Sequence, residues 1–145
     1  RGKPLVRDGG VIILTHPTTP DFNPVHHPSY IDLFEGGVGD TTAPHGMSPK
    51  WGRPYADDDW DRPLYRTTPA DPGGHPVYMW YWGSHGMKHA GKVIIVGGHA
   101  PTIRKLGFTP ASTMNDAFEI ASDTVGRHPT VTHIKTPPLM IADVK

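Results

Sequence analysis

The stretch from residue 91 to residue 126, GKVIIVGGHAPTIRKLGFTPASTMNDAFEIASDTVG, restricts the fold of this chain more than any other. Lys92, Val93, Ile94, Ile95 and Val96 form a short, largely β-branched run closed by Gly97 and Gly98. Such a run suits a strand buried on both faces, where no alternation with polar residues is needed. Ser112 and Thr113 can cap a following helix. Its apolar residues Met114, Ala117, Phe118 and Ala121 recur at i, i+3, i+4 and i+7, and Gly126 is placed to end it. Residues 130–135 then read as a second strand. Strand, glycine turn, helix and strand in this order predict a right-handed parallel βαβ unit. Ligands of open parallel sheets lie beyond the carboxyl ends of the strands, so a cleft is expected at residues 97–101, Gly-Gly-His-Ala-Pro.

Another buried-type strand is predicted at residues 11–14, entered through Gly9 and Gly10 and left through Thr15, His16 and Pro17. His16 and His99 thereby stand at strand ends, in cleft positions suited to substrate contact. The loop 16–28 holds four prolines, which excludes a helix there. A short helix is expected to start with Ser29 and Asp32 as a capping-box-like pair. Tyr30, Leu33 and Phe34 make its apolar stripe, and Gly36 and Gly37 stop it. Residues 77–91 favour a helix with positions 79, 82, 86 or 87 and 90 as the apolar set, and residues 139–144 read as a last strand.

The predicted fold class is α/β: a small, mostly parallel sheet flanked by helices, with a long Pro/Gly-rich excursion at residues 40–75, all within one domain spanning 1–145. Glycine and proline number 17 each, which leaves much of the chain for loops, while four Trp, five Tyr and four Phe argue for packing. Trp51, Tyr55, Trp60 and Tyr65 are expected to pin the excursion to its own domain or to a neighbour.

Lys plus Arg and Asp plus Glu balance at 14 each, so no net field favours nucleic acid or an anionic membrane. No run reaches the roughly 20 apolar residues of a membrane span. The absence of cysteine removes disulfide and thiolate chemistry and suits a soluble, cytoplasmic protein.

Neither GxGxxG nor GxxxxGK[ST] occurs, and no GxSxG elbow is present. His85 and His89 are spaced i, i+4 and on a helix could face one metal, but the residues between them are Gly-Met-Lys, without the glutamate of the zinc-protease helix. His26 and His27 could add ligands, although adjacent residues of an extended chain point to opposite sides. These four histidines define one alternative, a self-contained metal-binding hydrolase. A non-catalytic interaction module presenting the aromatics of 51–65 is another.

Four blocks in order carry a resemblance: VRDGGVIIL at 6–14; the proline-histidine loop leading to SYIDLFE at 29–35; the aromatic segment leading into KVIIV at 92–96; and RKLGFTPASTMNDAFEIA at 104–121. Together they resemble the C-terminal domain of the nickel-pincer lactate racemase family. The likeness covers most of the chain outside 40–75. It implies a 2-hydroxyacid racemase or epimerase in which a nickel pincer nucleotide takes a hydride from the substrate carbon and returns it to either face. In that family the cofactor-tethering lysine, the nickel-binding histidine and the catalytic histidines sit in an N-terminal domain. The C-terminal domain closes the cleft and contacts the substrate through a Tyr-Gln-x-x-Lys segment and a tryptophan on a later helix.

In this register the first segment falls before Arg1, and the tryptophan carries over to Trp80. Where the family has Gln-Trp-Glu, this chain reads Met79-Trp80-Tyr81. The resemblance therefore implies a C-terminal domain of a larger two-domain protein. Its partners would be a small-molecule 2-hydroxyacid and the cofactor-bearing N-terminal domain. This chain alone would hold no metal, carry no catalytic residue and be inactive.

Overall fold

The structure is a computed structural model that describes residues 5–38, 66–68 and 74–135. Strand β1 (Gly10–Thr15) leads to helix α1 (Pro28–Asp32), which runs on into a π-helical turn (Leu33–Gly37). Helix α2 (His75–Met87) precedes β2 (Ala90–Val96), and α3 (Ala100–Lys105), β3 (Thr109–Ala111) and α4 (Met114–Val125) follow. The strands form one sheet in the order β1-β2-β3, and both pairs are parallel. This is the expected small α/β fold.

β2 is the central strand, which explains its unbroken apolar sequence. Ile94 and Ile95 point to opposite faces because strand side chains alternate, and both are buried. On the Ile94 face, Ala111, Ala117 and Ala121 complete a core against which Val11, Ile13, Val96 and Ile120 pack. The small side chains at 117 and 121 let α4 lie close over all three strands. Burying one such isoleucine is worth about 1.5–3 kcal/mol. α4 is fixed at both ends. The Asp116 N–H donates to Thr113 Oγ1 and the Thr113 N–H to the Asp116 carboxylate, closing a capping box, while Gly126 at φ 82° terminates the helix.

Several expectations need correction. Residues 130–135 are exposed and form no strand; the returning strand of the βαβ unit is β3, and its crossover is α3. Pro101 and Pro110 disguised both elements. Proline is tolerated in the first turn of a helix and on a short edge strand, where no N–H is required of it. α4 is therefore not the crossover but a helix laid back across the sheet after β3. Its predicted stripe is half right: Ala117 and Ala121 are buried, whereas Met114 and Phe118 stay 42% and 48% exposed.

α1 begins two residues early, with His27 rather than Ser29 at its N-cap and no side-chain cap. Ser29 lies inside the helix and is buried, its Oγ without a hydrogen-bond partner, so the Ser29–Asp32 capping pair does not form. The helix at 77–91 exists but ends at Met87 and buries Val77 and Ser84, leaving Met79 and Trp82 41% and 65% exposed. A helix apolar nearly all round carries no stripe from which a buried face can be read. The aromatics of 51–65 and the strand at 139–144 lie outside the described residues.

Candidate functional site

Parallel pairing brings the ends of β1 and β2 to the same edge, with Thr15 opposite Val96. The two following loops then lock together through their backbones. The His16 N–H donates to Val96 O at 3.3 Å, and the His99 N–H donates to Pro17 O at 3.0 Å. Gly98 makes this approach possible: a Cβ there would lie 2.7 Å from His16 O and 2.9 Å from Pro17 O. His16 and His99, both exposed, thus stand on neighbouring loops at the carboxyl edge of the sheet.

Each imidazole is tied by its Nδ1. The Thr18 N–H donates to His16 Nδ1 at 3.0 Å, and the Thr18 hydroxyl lies 3.0 Å from the same Nδ1 and 3.3 Å from His16 O. Thr18 takes φ 43°, a left-handed conformation that costs a β-branched residue and is held by this clip. His99 stands at the N-cap position of α3 without a side-chain capping bond and places its Nδ1 2.8 Å from Oγ1 of the buried Thr102. In both rings Nε2 is the nitrogen left for a ligand. Two imidazoles so presented can hydrogen-bond a carboxylate or hydroxyl oxygen. Thr18 and Thr102 were not singled out from sequence, although a hydroxyl residue two or three positions after a histidine is the available signal.

Trp80 sits elsewhere, on α2, packed against the buried pair Leu33 and Val77 beside Val38. Where α1 meets α2, the Tyr30 hydroxyl lies 2.9 Å from His75 Nδ1, and the His27 ring meets Tyr30 edge-on at 5.2 Å. Lys105 joins this layer to α3, with Nζ 4.5 Å from the Phe34 ring centroid and a 3.3 Å bond to Glu35 O.

The i, i+4 histidines do not converge. His89 falls beyond the end of α2 and places Nδ1 2.9 Å from the Asp8 carboxylate, while His85 turns Nδ1 onto Tyr81 O of its own helix at 2.8 Å. Among the described residues no three His, Cys, Asp or Glu side chains are grouped to hold a metal ion. The described side chains are therefore not arranged as nickel ligands. A shallow concavity of about 440 Å³ runs along the second half of α4, lined by Phe118, Val125, Arg127, Pro129 and Val131 and by no residue of the strand-end loops. No helix among the described residues is long and apolar enough to cross a membrane. Comparison with known protein families, with curated proteins and with solved structures finds no match for this chain.

Proposed function

We propose that this chain is the substrate-recognition and cleft-closing domain of a lactate racemase-like enzyme that interconverts 2-hydroxyacid stereoisomers. The observation that supports the reading is the carboxyl edge of the β1–β2 pair, where two backbone-locked loops present His16 and His99. Binding and orienting are the tasks of these residues: imidazole N–H groups suit the carboxylate and hydroxyl oxygens that every 2-hydroxyacid carries. Trp80 takes the family's tryptophan role by resemblance. The nickel pincer nucleotide belongs, in this reading, to a preceding domain, and it supplies hydride acceptance when bound. The cysteine-free composition suits a cytoplasmic setting for such an enzyme.

The full parent protein carrying its cofactor is expected to racemise lactate, malate or a related 2-hydroxyacid, and the 145-residue chain with added nickel is expected to be inactive. Racemisation by the chain alone, or a loaded parent that leaves all these acids unchanged, overturns the reading.

A further inference from the structure

We infer that Thr18 is a positioning residue that fixes His16 in one tautomer and makes its Nε2–H a donor to a ligand carboxylate; this deepens the substrate-binding reading and rests on it. The sign of the hydrogen bond carries the inference. A backbone N–H can only donate, so the 3.0 Å contact from Thr18 N requires a lone pair on His16 Nδ1. A proton there would set two donors against each other. The Thr18 hydroxyl lies 3.0 Å from the same Nδ1, but it can turn its proton to that nitrogen or to His16 O, whereas the backbone N–H has one polarity only; the neutral ring is therefore the Nε2–H form.

The rest of the clip keeps that N–H aimed. Thr18 Oγ1 lies within reach of both His16 Nδ1 and the His16 carbonyl, and the left-handed φ of Thr18 is what brings that hydroxyl to the loop. On the other side, the His16 N–H is held by Val96 and its carbonyl lies against Gly98. The ring is thus anchored to a loop that is itself anchored to the central strand. The exposed Nε2–H serves as a donor, not as a base, so His16 fits recognition of an anionic oxygen rather than proton abstraction.

Long-range proton–nitrogen correlation spectra of the full 145-residue chain, recorded where His16 is neutral, read the tautomer directly. A single Nε2–H form is expected. It should persist in Thr18→Gly, which keeps the N–H and accepts φ 43°, and give way to a mixture in Thr18→Pro, which lacks the N–H and whose ring also opens the clip. An Nδ1–H form or a mixture in the unaltered chain, or an unchanged tautomer in Thr18→Pro, overturns the inference. Titration with acetate and with lactate then separates it from the functional reading. Acetate should shift the His16 Nε2–H resonance. His16→Asn, whose side-chain oxygen can still accept the Thr18 N–H, should weaken acetate about tenfold. If acetate acts and lactate binds no better, the donor role stands and the 2-hydroxyacid reading falls. If lactate binds while His16 stays silent, or neither anion moves it, the donor role falls.

Discussion

The two ends of the β1–β2 pair are closed by the same device and differ in what their histidines face. At the amino end the Gly9 N–H donates to His89 O at 2.9 Å, and a Cβ on Gly91 would lie 2.5 Å from Gly9 O. At the carboxyl end Gly98 plays the same part against His16 and Pro17. Glycine contact and backbone hydrogen bonds thus belong to closing a parallel pair; at both ends they hold the loops, and what the loops present differs. The histidine partners make the distinction. His89 is joined to Asp8, whose negative charge repels a second anion, whereas His16 and His99 are held by threonines that bring no charge. Only the carboxyl end leaves its imidazoles beside neutral partners.

Both ends hang on one core, with Ile94 at its centre. It is fully buried at the centre of β2, so Ile94→Ala is expected to cost about 2–5 kcal/mol, read from the urea midpoint. Both loop pairs should lose amide protection together. A loss confined to one end would mean that the ends are supported separately. The next largest effects separate the two closures. Gly91→Ala and Gly98→Ala each force a methyl onto backbone carbonyls and should each destabilise by about 1–3 kcal/mol. Only Gly98→Ala should disturb the His16 tautomer and its response to acetate. An equal disturbance from Gly91→Ala would make the site a property of the whole strand pair.

Sequence made the strands and their ends legible because burial on both faces leaves an unbroken apolar run, as in 92–96, and because glycines close such runs. The position of His16 and His99 beyond strand ends was legible for the same reason. β3 and α3 were not, since each is short and carries a proline in one of the few places where proline does no harm. The buried face of α2 was hidden by aromatics on every side. The Thr18 clip was hidden more deeply, because a β-branched residue at positive φ runs against its own propensity and only the surrounding loop holds it there.

The smallest expected effect gives the sharpest test of the difference between the ends. His89 and Asp8 are 56% and 85% exposed, so their 2.9 Å contact lies mostly in water and is screened by salt. Asp8→Asn should therefore change stability by no more than about 0.2–1 kcal/mol, and less as ionic strength rises. Its consequence for binding is more telling. If the carboxylate is what disqualifies the amino end, removing it should let acetate shift the His89 ring in Asp8→Asn where it does not in the unaltered chain. Failure to gain that response would show that a histidine beside a glycine closure is not enough, and that the rigid Thr18 clip is what equips the carboxyl end.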